Sequence, residues 1–119
     1  MSGHKLGYEL TQHNQYKMLS DTGTDGGTIP FGVGGEWIKV NSSGNGESRV
    51  LPDPTGLPLG YTLYVVEASG YTDLELQDPN DAGAVATLEN GEVAMLVVSW
   101  DADDSENQWR GVVLKENVS

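Results

Sequence analysis

The chain has 119 residues, 37% of them hydrophobic, and no cysteine, so it fills one core of ordinary domain size and has no disulfide, thiolate metal site or cysteine nucleophile. Eighteen acidic against six basic residues give a net charge of -12; such a balance repels phosphate backbones and anionic lipid surfaces, and neither nucleic acid nor membrane is expected as a partner. No apolar run approaches the ~18 residues that span a bilayer, and the opening MSGHKLGYEL lacks the apolar stretch and cleavage pattern of a signal peptide.

Residues 1–17 are polar, with apolar side chains only at Leu6, Tyr8, Leu10 and Tyr16. The even spacing of the first three puts them on one face of an extended segment, which reads as an N-terminal arm lying along a neighbouring molecule, or else as a frayed end. Residues 18–119 read as a single β domain. Within it, 20–36 hold six glycines and a proline, which predicts a loop or a series of turns. A short strand follows at 37–40, and the turn-rich NSSGNG at 41–46 is expected to join it to 48–51 as a hairpin with a long loop.

Pro52, Pro54 and Pro58 then remove backbone donors, and Gly56 and Gly60 allow turns, so pairing must stop before the chain re-enters a strand near Tyr61. The strand at 61–67 offers bulk on both faces and is expected to be central. Leu74 and Leu76 alternate with polar neighbours, as in a strand with one wet face. Residues 78–83 read as a turn and 84–88 as a weak strand. Asn90–Gly91 is a strong hairpin signal leading into EVAMLVVSW, a nearly continuous apolar core strand. After an acidic loop at 101–107, a last strand near 109–115 sets Trp109 and Val113 against Val112 and Leu114. Seven or so short strands without a convincing helix predict an all-β fold, a small β-sandwich or β-tulip-like open barrel, with no internal repeat of fixed period. With 16 glycines and 5 prolines in so small a domain, part of the stability is expected from oligomerisation.

A strand ending in Leu51-Pro52, a connector LPLG, a strand YTLYVVEASG, a segment ATLENGEVAMLV and the late NQWRG together resemble a module of tailed-phage virion proteins. It recurs in capsid decoration (cement) proteins, head fibres and the β-rich parts of tail fibres, and the resemblance covers about residues 36–114. It implies a small all-β subunit, commonly a homotrimer, that binds the outside of an icosahedral shell with the major capsid protein as partner. It also implies a protein made in the host cytoplasm and carried on the virion surface. The arm residues Leu6, Tyr8, Leu10 and Tyr16 would then touch the coat. The alternative is a receptor- or glycan-binding module of a fibre.

Chemistry-bearing motifs are sparse. Asp21-Thr22-Gly23 resembles the signature of retroviral-type aspartic proteases, where two such carboxylates share a proton, and 31–40 looks like their flap. Ser20 stands where those enzymes keep an apolar residue, Gly34–Gly35 follows too soon, and no second bracing segment appears near the C-terminus. A polar turn is the simpler reading. Asp101, Asp103, Asp104 and Glu106 are oxygen donors, yet Glu106 and Val112 stand at the sixth and twelfth positions, where an EF-hand loop needs Gly and Glu. Asp21 and Asp25 with Gly26 fail that pattern too. His4 and His13 alone do not make a three-ligand zinc site, and Gly32–Gly35 lacks the Lys-Ser/Thr of a P-loop. No catalytic residue, metal or cofactor is therefore expected. Of the aromatic residues, Trp100 and Trp109 are expected in the core, and Trp37 is the candidate for an exposed contact with a sugar or protein.

Overall fold

The computed structural model describes residues 18–21, 23–30, 37–80 and 83–114. It is an all-β sandwich of two mixed sheets that do not close into a barrel. Nine strands are present among these residues: β1 Met18–Asp21, β2 Gly27–Thr28, β3 Trp37–Val40, β4 Ser48–Val50, β5 Thr62–Glu67, β6 Leu74–Gln77, β7 Ala84–Leu88, β8 Val93–Asp101 and β9 Glu106–Leu114. The large sheet has the order β1-β3-β5-β8-β9 and the small sheet β2-β4-β6-β7.

The first six strands alternate between the layers. Odd strands build one sheet and even strands the other, and within each layer they run parallel. Trp37 sits beside Tyr64 and Ser48 beside Glu75, the same step along the chain in both sheets. The chain thus winds around the core like a short coil, each turn crossing from one layer to the other. Antiparallel β7 closes the small sheet, and the β8–β9 hairpin closes the large one.

This winding overturns three local expectations. The turn after β3 does not make a hairpin with β4, because the two strands lie in different sheets. Asn90–Gly91 does turn the chain, with Gly91 at φ 79, but it carries β7 of the small sheet over to β8 of the large one. The segment 20–36 is not all loop, since it holds the end of β1 and the whole of β2. Turn residues report that a chain bends and not which strand it pairs with afterwards. The strand at 62–67 is central, as its two bulky faces predicted.

Inward side chains of the large sheet, Ile38, Val40, Leu63, Val65, Ala94, Leu96, Val98 and Trp109, meet Leu74, Leu76, Ala86 and Leu88 of the small one, with Ile29 and Leu51 beside them. Burying such side chains is worth about 1.5–3 kcal/mol each for the larger aliphatic ones. The proline crossing is fixed by Asp53, whose carboxylate accepts the Thr55 N–H at 3.0 Å and the Asn80 amide at 3.0 Å, and so caps the short 3-10 turn Pro54–Gly56. From β9, the Trp109 indole donates to the Pro52 carbonyl at 2.7 Å, and the Asn107 amide donates to the carbonyls of Pro54 and Leu57. The crossing loop is thereby satisfied without being part of a sheet.

Candidate functional site

Among the described residues three buried carboxylates, Asp21, Glu67 and Asp78, stand out, because an ionised group is seldom enclosed without a partner. Asp21 ends β1 and points inward in the row it shares with Val40. One of its oxygens accepts the Gly23 N–H at 2.8 Å, and the other accepts Arg49 Nε at 3.1 Å. A Cβ on Gly23 would lie 2.8 Å from that first oxygen, so a larger residue here must displace the Asp21 carboxylate. Arg49, on β4, is fully buried, and its remaining donors reach Glu47 at 3.0 Å, the Ser48 carbonyl at 2.9 Å and the Gly23 carbonyl at 2.8 Å. The guanidinium fork ties the first strand of the large sheet to the small sheet.

Glu47 in turn accepts the hydroxyl and N–H of Ser43 at 2.7 and 3.0 Å. The Ser43 hydroxyl, with help from the Ser43 N–H and Arg49, holds the Glu47 carboxyl below the usual carboxylate range, against an opposing effect of burial. Glu67, at the inward end of β5, is fully buried; it accepts the Ser42 hydroxyl at 2.8 Å, the Ser69 N–H at 2.7 Å and the Ser69 hydroxyl. Asp78, just after β6, accepts the Asn80 N–H at 2.8 Å and the Trp109 N–H at 2.9 Å. That last bond satisfies a backbone donor of β9, an edge strand, from the opposite sheet.

Each of these carboxylates has both oxygens engaged. Ser99 Oγ is the one buried side-chain polar atom left unpartnered among the described residues. An aspartic dyad needs a carboxylate free to share a proton with its twin, whereas Asp21 is taken up by Arg49 and Gly23. The loop acids Asp101, Asp103 and Asp104 form the β8–β9 turn, with Asp101 accepting the N–H groups of Asp103 and Asp104, and Gln108 reaching Asp104 and Glu106. Among the described residues no group of three His, Asp or Glu side chains is placed to hold a metal.

A cleft of about 250 Å³ runs along the seam of β7 and β9, lined by Asp78, Val85, Gln108, Trp109, Arg110 and Gly111 among others. Its walls are close because Gly111 has no side chain: a Cβ there would come within 2.9 Å of Leu96, 3.0 Å of the Val85 side chain and 3.1 Å of the Val85 carbonyl.

The aromatic residues divide into separate places. Trp109 is 3% exposed in the core, as expected, with Tyr61 edge-on at 6.3 Å. Trp100 is 55% exposed and not in the core. Its strand phase is inward, but its row, shared with Asn107, lies beyond the Val98–Trp109 row where the second layer still covers the sheet. Trp37 is half-buried on the outer face of the large sheet, its ring stacked on Tyr64 at 4.8 Å. The proposed arm contacts Leu6, Tyr8, Leu10 and Tyr16 lie outside the described residues.

Around Trp37 lies a surface that motif reading does not find. Register places Trp37, Tyr64, Met95 and Val112 in one row on the outer face of the large sheet. Lys39, Val66, Val93 and Leu114 form the next row, and Thr62, Val97 and Arg110 the third. Val112 and Leu114 are 55% and 43% exposed. The signal was present as apolar residues in both phases of strands 62–67 and 93–101. Likewise, Arg49 and Glu67 fall in the phase of the core residues Leu51 and Leu63. Comparison with family models, with characterised proteins and with solved structures yields no match to this chain.

Proposed function

We propose that this protein is a non-catalytic structural subunit of a tailed-phage virion, which binds the outer surface of the capsid as a decoration protein and stabilises the shell. The reading rests on the resemblance over residues 36–114. The observation that carries it is the apolar outer face of the five-stranded sheet, in a molecule whose buried acids, among the described residues, are all engaged in bonds within the fold. Such a molecule offers surface for assembly in place of a reactive group. Its partners are the major capsid protein and further copies of itself, as a homotrimer on the virion. The acidic remainder of the surface faces solvent, and residues 6–16 reach the coat.

The mechanism is mass action. A subunit that binds only the assembled lattice lowers the free energy of that state by RT ln(1 + [L]/Kd), about 2.7 kcal/mol per site at a hundredfold excess over Kd. The test is cosedimentation with expanded, DNA-free shells of the cognate phage, followed by thermal disruption of the shells with and without the protein. Pelleting with the shells and a raised disruption temperature are expected. Protein that stays in the supernatant at saturating concentration refutes the proposal.

A second reading, a receptor- or glycan-binding fibre module, draws on the exposed Trp100 ring and the Trp37–Tyr64 stack. It predicts saturable sugar binding that Trp100→Ala or Trp37→Ala abolishes. The aspartic-protease reading predicts a peptidase activity lost in Asp21→Asn.

A further inference from the structure

We infer that the outer face of the large sheet is where copies of this chain pack against one another. The inference deepens the self-association in the proposal above by naming its surface, and it rests on that part of the reading alone.

Both faces of a sheet are apolar only when both are covered. The inner face of this sheet meets the small sheet. Its outer face carries Trp37, Tyr64, Met95 and Val112 across four strands, with Val66, Val93, Leu114 and Val97 flanking them. These outward residues do not belong to the buried core cluster or to the side chains packed against it. The small sheet shows the contrast: its outer face presents Ser48, Glu75 and Thr87 in one row.

Charge selects the occupant. The chain carries -12 overall, so most of its surface repels a second copy. The three apolar rows contain no acid, and their only charges are Lys39 and Arg110, two of six basic residues in the chain. Asp101 and Glu106 lie across from each other at the far end of the same outer face. A copy rotated end for end onto this face brings its acidic end toward Lys39, in the row farthest from Asp101 and Glu106, while the apolar centres meet without repulsion.

Area sets the strength. Strands of four, six, nine and nine residues, at ~3.4 Å per residue and ~4.8 Å apart, give a face of roughly 450 Å². Two such faces bury about 900 Å², below the ~1,200 Å² of a stable interface, so association is weak and concentration-dependent.

The experiment is sedimentation velocity of the full chain from about 1 to 300 µM, with Val112→Lys and Met95→Lys on the apolar face and Thr87→Lys on the outer face of the small sheet. The wild type is expected to shift from 12.7 kDa to a dimer or trimer. Val112→Lys or Met95→Lys should weaken association about 30-fold or more, since each sets like charges against each other across the contact. Thr87→Lys should leave association unchanged, and all variants should keep the wild-type circular dichroism.

A wild type that remains a 12.7 kDa monomer at 300 µM overturns the inference. So does an oligomer that both face variants leave intact. A monomeric wild type that associates only after Leu6→Lys with Leu10→Lys overturns it in favour of the chain's own first residues as the cover. Shell cosedimentation separates the two proposals. A monomer that pellets with shells sinks this inference alone, whereas an oligomer broken by Val112→Lys that ignores shells sinks only the capsid reading.

Discussion

The two sheets of this sandwich solve opposite problems. The small sheet is wet outside, with Ser48, Glu75 and Thr87 in one outward row, and it turns a fully buried Arg49 toward the core. The large sheet is apolar on both faces, and its inward charges, Asp21 and Glu67, lie only at strand ends. The small sheet is therefore complete as a surface and electrostatically dependent inside. The large sheet is well packed inside and incomplete as a surface. In the proposed assembly, stability and self-association fall to different layers, and substitutions in each should break different properties.

The largest effect is expected inside the small sheet. Arg49→Ala strands Asp21 and Glu47 beside an empty site, and removing one partner of a buried ion pair typically costs about 3–5 kcal/mol. Urea unfolding followed by circular dichroism should show that loss as a lowered midpoint with an unchanged slope. If Arg49→Ala unfolds within 1 kcal/mol of wild type, the network is not what joins the layers.

The seam between the layers comes next. Gly111→Ala puts a methyl into contact with Leu96 and Val85, and forcing extra volume into a packed site costs about 1–3 kcal/mol. Because β7 and β9 meet through this residue, hydrogen exchange should accelerate first along those two strands. A variant as stable as the wild type would mean that the seam opens freely and that the cleft is wider in solution.

On the outer face of the large sheet a single residue should matter little to the subunit. Tyr64→Leu removes the ring stacked on Trp37 and keeps an apolar side chain, so about 0.5–1.5 kcal/mol is expected from the lost aromatic pair. The intrinsic fluorescence of Trp37 should change at the same time. A loss as large as that of Arg49→Ala would show that this face carries the fold and is not a surface awaiting a partner.

How much of this was legible follows from what sequence patterns encode. Alternation found the strands at 37–40, 62–67, 74–77 and 84–88 and the inward phase of Trp109, because burial on one face leaves a period of two. It missed β2, whose Gly27 and Thr28 carry no apolar signal; that strand exists because it lies beside Arg49 and Val50. It also missed which strands pair. Parallel partners are separated by a full turn of the coil, and no local residue marks that distance. Trp100 was misplaced because strand phase says which way a side chain points and not where the opposite layer stops. The ends of the buried network were hidden in plain view: Asp21-Thr22-Gly23 reads as a catalytic signature or a turn until Arg49 is brought beside it.

The smallest effects concern two acids at the same end of the small sheet, one before β4 and one after β7, whose titrations oppose each other. Glu47 is held below the usual range, first by the Ser43 hydroxyl. An acid whose folded value is depressed stabilises the fold above its unfolded value and loses that contribution as pH falls through the folded one. Glu89 is raised, first by desolvation and then by its neighbour Asp73. Its ionised form is therefore disfavoured in the fold, and this cost is present above the raised value and vanishes as the group protonates. At pH 7, Glu47→Gln should lower the unfolding midpoint slightly and Glu89→Gln should raise it. As pH falls through the carboxylate range, both variants should converge on the wild type, the Glu89 variant at the higher pH because its folded value is the raised one. Both side chains are within reach of solvent and screened by salt, so the pair of curves should also close up as ionic strength increases. Parallel curves that keep a constant offset at every pH would assign the difference to lost hydrogen bonds, such as those from Ser43, and remove titration from the account of this end of the sheet.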